Sequence, residues 1–311
     1  MTKRERIMAA IEGRPYDRIP YSLWYHFRLD PPAGPNMAKA ELDFYHKYDP
    51  DLLKVMHDIP YEMPKDMPLV RSIEDWAKLD VLDGVSGNFG KQLDTLKMII
   101  AEKGDDGPVI DTVFSIFSTA EKVCGKRTLE FLRQDKTAVH AGLEKITKSL
   151  ANYAKALVEA GVDGIYLAVS GAATDTMPLD EYRENFMAYD QQILDAARAT
   201  KVNVLHHHGS GIYPEVSLQL TGYHILCWSD RLPGNLSLKE MRLKTTHCLM
   251  GGVNETTFGA DTPESILAQI KDAIFATNGQ KFIVGPGCAV PTPPDSPDEN
   301  LRTFRKGVLT A

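Results

Sequence analysis

Three consecutive histidines, at residues 206–208, stand between the strand-like run Val202–Leu205 and a glycine-rich turn. Side chains on a strand alternate between its two faces, so His206 and His208 point the same way and His207 points to the opposite side. Two imidazoles on one face of a strand end can supply two nitrogen ligands to one metal ion. The same pattern is also typical of polar residues that end a strand and hydrogen-bond to neighbouring loops. Both interpretations stay open on these residues alone.

Cys288 adds a third potential ligand in the segment 285–288, Gly-Pro-Gly-Cys, which follows the last strand-like run of the chain. A thiolate with two imidazoles is a suitable ligand set for Zn²⁺ and leaves a fourth position for water or substrate. We therefore predict a zinc site formed by His206, His208 and Cys288. The other three cysteines are interpreted as buried, small apolar side chains: Cys124, Cys227 and Cys248.

Short strand-like runs alternate with longer amphipathic segments, which predicts parallel strands connected by helices. The eight candidate strands are Ile19–Trp24, Leu52–Asp58, Val109–Phe114, Gly164–Val169, Val202–His207, Tyr223–Trp228, Leu249–Val253 and Phe282–Val284. Eight strand–helix units favour an α/β fold closed into a single (β/α)8 TIM barrel, with one domain over residues 1–311. A doubly wound open sheet is the alternative. It would place a glycine-rich phosphate-binding turn after an early strand, and the sequence has none.

Several polar residues follow the predicted strands, where barrel enzymes carry their catalytic groups. His26 and His57 are candidate acid–base groups, although a histidine at such a position can also simply cap a loop. Asp230 is a candidate catalytic residue, either as a fourth metal ligand or as a partner that fixes a histidine tautomer. Four further residues are candidate substrate contacts near the mouth of the predicted pocket: Trp24, Arg28, Ser170 and Asn254. Trp24 is equally compatible with the barrel core.

The composition, with 43% hydrophobic residues, allows the chain to bury a large core. The formal net charge of −7 argues against nucleic-acid binding, because neutralising phosphates requires clustered Lys and Arg. No stretch approaches the roughly 18 consecutive apolar residues of a membrane helix, and residues 1–30 hold no apolar signal-peptide region. The cysteines are scattered and do not suggest disulfides, so we expect a cytoplasmic protein.

Seven segments spread over most of the chain carry a resemblance to a known family: 14–20 (Arg-Pro-Tyr-Asp-Arg-Ile-Pro), 54–56 (Lys-Val-Met), 111–115 (Asp-Thr-Val-Phe-Ser), 205–209 (Leu-His-His-His-Gly), 250–254 (Met-Gly-Gly-Val-Asn), 285–288 and 291–300. In these segments the chain resembles the uroporphyrinogen decarboxylase superfamily. This superfamily combines tetrapyrrole decarboxylases with zinc-dependent methyltransferases that demethylate corrinoid proteins. The resemblance implies a (β/α)8 barrel and one of these two kinds of activity.

The methyltransferase-like branch is the closer match. Its members bind zinc through a His-x-Cys pair and a distal cysteine in a Gly-x-Gly-Cys-like turn. The resemblance places His206 at the histidine and Cys288 at the distal cysteine, while His208 stands where the first cysteine is expected. Imidazole can replace thiolate at zinc. The exchange lowers the negative charge of the site, however, and makes a bound substrate thiolate a weaker nucleophile.

The decarboxylase pattern fits less well at the end of the first predicted strand. Tetrapyrrole decarboxylases carry Met-Arg-Gln-Ala-Gly-Arg there and use it to hold substrate carboxylates. This chain has Ser-Leu-Trp-Tyr-His-Phe-Arg at residues 22–28. Only Arg28 could pair with a carboxylate, and a porphyrinogen with many carboxylates requires several cations. Uroporphyrinogen itself is therefore not the expected substrate.

These observations make a zinc-dependent methyltransferase the leading hypothesis. It would move a methyl group between a corrinoid, or another methyl donor, and a small thiol or acidic nucleophile bound at the metal. The corrinoid would arrive on a partner protein, because the predicted barrel uses the whole chain. We also consider a homodimer. The alternatives are a metal-assisted or metal-free lyase or decarboxylase of a small organic acid, and a barrel that binds a ligand without converting it.

Overall fold

Seven parallel strands form one sheet in the computed structural model, which describes residues 1–311. Each strand pairs with its neighbours in sequence, so the order across the sheet runs from β1 to β7. The strands are β1 Leu53–Val55, β2 Val109–Phe114, β3 Gly164–Val169, β4 Val204–His207, β5 Ile225–Trp228, β6 Cys248–Val253 and β7 Phe282–Pro286. The predicted α/β class is confirmed. A doubly wound sheet would reverse its strand order at a switch point, and this sheet does not.

Helices connect successive strands, as long crossovers between parallel strands require. They are α1 Lys3–Glu12, α2 Pro35–Tyr48, α3 Ile73–Trp76, α4 Gly87–Lys103, α5 Ile116–Cys124, α6 Thr128–Gln134, α7 Lys136–Glu159, α8 Leu179–Tyr182, α9 Ala188–Ala196, α10 Pro214–Gln219, α11 Leu238–Arg242, α12 Pro263–Thr277 and α13 Asp298–Leu309. A π-helical turn, Arg183–Met187, joins α8 to α9. None of these helices combines the length and the apolar character needed to cross a membrane.

Local sequence explains where several helices begin and end. Thr2 and Glu5 form a capping box at the start of α1. The side chain of Asp135 accepts a hydrogen bond from the Ala138 N–H at the start of α7. This bond satisfies a backbone donor that has no partner within the helix. Asn278 adopts the left-handed conformation that ends α12.

The predicted first strand, Ile19–Trp24, is not a strand of the sheet. Only Tyr21 forms a bridge, which runs parallel to Val284 of β7. The Val284 N–H donates to the Pro20 carbonyl (2.9 Å), and the Asp51 N–H, from the turn before β1, donates to the Tyr21 carbonyl (2.9 Å). Proline has no N–H to give to a strand ladder, which helps to limit the pairing to this single bridge. The segment nevertheless lies between the two outer strands of the sheet.

The alternation of side chains along the strands divides the core into two clusters. A cluster of 66 buried residues combines one face of the sheet with the surrounding helices. A smaller cluster of 15 residues takes the alternate strand positions, among them Ile225 and Cys227 of β5 and Cys248 and Met250 of β6. His206 pairs in register with Cys227, so its side chain lies on the face of this smaller cluster.

Asp51, in the turn before β1, is fully buried and connects the N-terminal helix to the sheet. Its carboxylate accepts hydrogen bonds from Arg6 (2.5 Å), from Arg18 (2.6 and 2.9 Å) and from the N–H of Tyr21 (3.0 Å). The Arg6 side chain is itself only 7% exposed. The two guanidinium groups therefore share one buried counter-ion.

Asp51→Ala is expected to lower the free energy of unfolding by about 3–5 kcal/mol, because it removes the buried counter-ion of Arg6 and Arg18. Asp43→Ala is the matched control. Asp43 pairs with Lys39 at the surface, where an ion pair contributes about 0.2–1 kcal/mol. Urea unfolding of both variants measures the two changes. Equal losses in the two variants would contradict the role given to Asp51.

Glu41, on α2, is 1% exposed and accepts a hydrogen bond from the Met56 N–H (2.8 Å). Burial raises the pKa of its carboxyl from 4.5 to about 8. Because the folded pKa lies above the unfolded one, Glu41 contributes stability that is fully present below about pH 4.5 and lost as the pH rises to about 8. Glu41→Gln keeps an acceptor for Met56 and is expected to remove this part of the pH dependence. Urea midpoints across this pH range measure it, and parallel curves for the two proteins would refute it.

Candidate metal centre

The two histidines and the cysteine predicted as ligands lie together at the C-terminal ends of β4 and β7. His206 lies on β4, His208 follows that strand directly, and Cys288 lies in the turn after β7. The potential ligand atoms of these side chains all lie within 4.8 Å of one another. The Cys288 Sγ is 3.6 Å from the His208 Nδ1. Two imidazoles and one thiol at these distances can hold a single tetrahedral metal ion.

His206 is the member of this trio that most clearly lacks a partner. It is 1% exposed, and neither ring nitrogen has a hydrogen-bond partner. Its ring stacks on that of Tyr166, with the centroids 5.1 Å apart. Burial, and then the neighbouring His208, hold the pKa of His206 well below its usual range, so the imidazole is neutral, as metal binding requires. A buried polar group without a partner costs about 1–3 kcal/mol, so the site fits a metal ion on His206.

His207 lies on the opposite face of β4, as the alternation predicts. It is fully buried, and both of its ring nitrogens have partners. Nδ1 is 2.9 Å from the Ser217 hydroxyl, and Nε2 is 2.9 Å from the Ala172 carbonyl. His207 therefore holds neighbouring segments of the fold together and is separate from the metal trio.

The charge state of the trio changes when a metal binds. Burial raises the pKa of the Cys288 thiol, while the backbone N–H of Ala289 and the ammonium of Lys54 lower it. Burial lowers the pKa of His208, and the Glu255 carboxylate acts in the opposite direction. Because thiolate is the form that binds metal, binding would release the Cys288 proton. The cysteines outside the trio are buried, as predicted: Cys124, Cys227 and Cys248.

Two adjoining cavities give access to the trio. The smaller one, of about 220 Å³, is lined by the trio and by three other predicted site residues, Trp24, His26 and Ser170. The wider one, of about 800 Å³, shares His26 and Cys288 with it and is lined by the predicted substrate contact Arg28. A small molecule can therefore reach the trio from the wider cavity. Trp24 lines the smaller cavity and also belongs to the smaller core cluster.

His26 forms a pair with Asp58 at the edge of the wider cavity. The His26 Nδ1 is 2.7 Å from the Asp58 Oδ1, and the histidine side chain is 48% exposed. Burial raises the pKa of the Asp58 carboxyl, but the hydrogen bond with His26, together with neighbouring positive charges, leaves this pKa below its usual value. Since Nδ1 is engaged, the His26 Nε2 is the nitrogen that remains for proton exchange.

His57, a predicted acid–base group, is not brought to the trio. Its ring packs on Tyr153, with the centroids 5.3 Å apart, and its Nδ1 lies 3.4 Å from the Asp111 carboxylate. That carboxylate also accepts from Tyr153 (2.7 Å) and from Gln92 (2.8 Å). His57 therefore belongs to this buried polar network and lines neither of the two cavities at the trio.

Asp230 and Asn254 are not brought to the trio or to either cavity. Asp230 accepts a hydrogen bond from the Gly252 N–H (2.8 Å) near the end of β6 and lies beside Arg231, so its carboxylate holds β6 and is not part of the metal trio. Burial raises the pKa of Asp230 to about 6. The Asn254 side chain accepts the Thr256 N–H (2.9 Å) within its own turn, and it lines neither cavity.

Lys54 lines the smaller cavity but is not among the site residues predicted from the sequence. It lies inside β1, is 3% exposed, and lines the smaller cavity with the trio. Its Nζ is 2.9 Å from the Met56 sulfur, 4.7 Å from the centre of the Tyr166 ring and 5.7 Å from that of Trp24, and it pairs with no carboxylate. Burial lowers the pKa of Lys54. A lysine between two apolar residues of a short strand is the sequence pattern from which this buried cavity residue could have been predicted.

Comparisons with known proteins relate this structure to two kinds of enzyme. The methylcobamide:CoM methyltransferase MtbA of Methanosarcina acetivorans is 23% identical over 224 residues, which are 71% of this chain and 64% of that protein. A uroporphyrinogen decarboxylase of Chlorobium phaeovibrioides is 26% identical over 254 residues, which are 76% of this chain and 68% of that protein. The match thus spans less than two thirds of the methyltransferase's own length.

The solved structure of a methyltransferase from Methanosarcina mazei has a similar fold. It superposes on 100% of this chain and 99% of its own, with a TM-score of 0.82 and 20% sequence identity. The family model described as uroporphyrinogen decarboxylase (URO-D) matches residues 34–309. The chain therefore belongs to the uroporphyrinogen decarboxylase family, in which it matches the methyltransferase-like branch.

Proposed function

We propose that this protein is a zinc-dependent methyltransferase. It moves a methyl group between a corrinoid carried by a partner protein and a small thiol or other acidic nucleophile. The observation that carries the proposal is the buried His206, whose ring nitrogens lack partners and whose neighbours within 4.8 Å are His208 and Cys288. Relatives named methylcobamide:CoM methyltransferase support the reaction type.

His206, His208 and Cys288 are the residues that would hold the ion. A bound zinc ion lowers the pKa of a thiol in its open position, so that the thiolate persists near neutral pH. His26 would take the thiol proton on Nε2, because its Nδ1 is hydrogen-bonded to Asp58. The wider cavity leaves room for the methyl donor to approach from outside.

Lys54 supports an acidic substrate. Its ammonium lies in the smaller cavity without a carboxylate partner, and the faces of Tyr166 and Trp24 stabilise its charge only in part. A negative group on the substrate would supply the missing counter-charge. The same feature favours the second candidate, a lyase or decarboxylase of a small organic acid, in which Lys54 would hold the carboxylate.

The same proposal includes a closed (β/α)8 barrel formed by one domain. Tyr21 bridges to Val284 of β7 and accepts a backbone hydrogen bond from Asp51, and in this proposal its segment would take the place of an eighth strand. The fold of the Methanosarcina mazei methyltransferase, which matches over the whole chain, supports this description.

Removal of one predicted ligand is expected to abolish zinc binding. The wild-type protein should hold about one zinc ion per chain, and His206→Ala and Cys288→Ser should hold almost none, because each leaves only two ligands. Cys124→Ser is the control, since Cys124 is buried away from the trio. Elemental mass spectrometry after removal of loosely bound metal measures the content. Zinc retained in both ligand variants would rule out the proposed site.

Lys54→Met is expected to raise the KM for an acidic thiol by about 10- to 100-fold, because a charged hydrogen bond contributes about 1.5–3 kcal/mol. The measurement is methyl transfer from methylcobalamin to 3-mercaptopropionate, with the neutral 2-mercaptoethanol as the control substrate. The KM for the neutral thiol should change little. A similar rise for both thiols would show that Lys54 does not recognise the acid group.

A further inference from the structure

Glu255 carries a buried carboxylate of which only one oxygen has a hydrogen-bond partner. It lies in the turn after β6 and is 6% exposed. One oxygen, Oε1, accepts from the hydroxyl of Ser229, which follows β5. The other oxygen, Oε2, is buried and has no hydrogen-bond partner. Such an oxygen costs free energy unless a positive charge lies near it.

The carboxylate lies against the turn that carries Cys288. Glu255 and Cys288 line the wider cavity together. A Cβ atom on residue 287 would come within 2.7 Å of the Glu255 Oε2, so the glycine at this position allows the carboxylate to pack there. Ser229, Glu255 and Cys288 thus follow three adjacent strands, β5, β6 and β7.

A zinc ion bound to the trio would carry a net positive charge that a nearby carboxylate could balance. A zinc ion with two neutral imidazoles and one thiolate keeps one net positive charge, whereas a histidine and two thiolates would leave the site neutral. Asp230 is already engaged by the Gly252 N–H and by Arg231, so it does not supply the missing negative charge.

We propose that Glu255 is a positioning residue of the metal centre, whose carboxylate neutralises the charge that His208 leaves in place of a second thiolate. It acts through space on the bound ion and raises the affinity of the trio for zinc. This inference rests on the proposed function, because it requires that the trio binds a metal.

Glu255→Gln tests the proposal, because it removes the charge and keeps an acceptor for Ser229. The affinity for zinc is expected to fall about 10- to 100-fold, the range typical of partners just outside the ligand shell. Competition of the purified chain with a chromophoric zinc chelator measures the affinity. Asp230→Asn, which removes another buried carboxylate charge, this one beside α11 and α12 and away from the trio, is the matched control and should bind zinc like the wild type.

Two further measurements separate charge from structure. The melting temperature of the metal-free Glu255→Gln protein should equal or exceed that of the metal-free wild type, because an unpaired buried charge is lost. Ser229→Ala keeps the charge and removes the hydroxyl that orients it, so it should weaken zinc binding less than Glu255→Gln. If Glu255→Gln does not fold, Ser229→Ala provides the test. A loss of zinc affinity beyond 100-fold in Ser229→Ala would contradict a role of Glu255 that is based on its charge.

The outcomes distinguish this inference from the proposed function. If the wild type binds zinc and Glu255→Gln binds it equally tightly, the role of Glu255 is refuted and the metal centre stands. If the wild type binds no zinc, both are refuted. A metal-free Glu255→Gln protein that melts well below the metal-free wild type would assign Glu255 a structural role instead.

Discussion

The side-chain alternation of β4 is the constraint on which the candidate site depends. Pairing of His206 with Ala168 of β3 and with Cys227 of β5 fixes the register of this strand. A slip by one residue would turn every side chain of the strand to the other face. His207 secures the register from the outer side, because both of its ring nitrogens are hydrogen-bonded there. The histidine without partners is consequently the one that faces the interior.

The buried side chains on this interior face would bind a cation at one point and an anion at another. Neutral His206 and the Cys288 thiol are suited to a divalent metal, which would displace the thiol proton. Lys54 lies on the side of the smaller cavity and Glu255 on the side of the wider one. In the proposed reaction the acid group of the substrate would therefore point inward, and the methyl donor would approach from the side of Glu255.

Much of this arrangement can be predicted from the sequence, because buried parallel strands are short apolar runs and strand ends carry the chemistry. The pair His206 and His208 is predictable from a period of two residues. A position at a strand end does not decide where a side chain points, however. The Asp230 carboxylate, for example, accepts a hydrogen bond from the Gly252 N–H and does not face the trio. Lys54 is harder still, because its role depends on aromatic rings contributed by other segments of the chain.

The central claim is that a thiol binds to a zinc ion held by His206, His208 and Cys288. X-ray absorption at the zinc edge tests it most directly, because sulfur and nitrogen ligands differ in distance, at about 2.3 Å and 2.0–2.1 Å. The account predicts one sulfur ligand in the zinc-loaded protein and two after addition of 3-mercaptopropionate. A sulfur count that stays unchanged on addition of the thiol would contradict it.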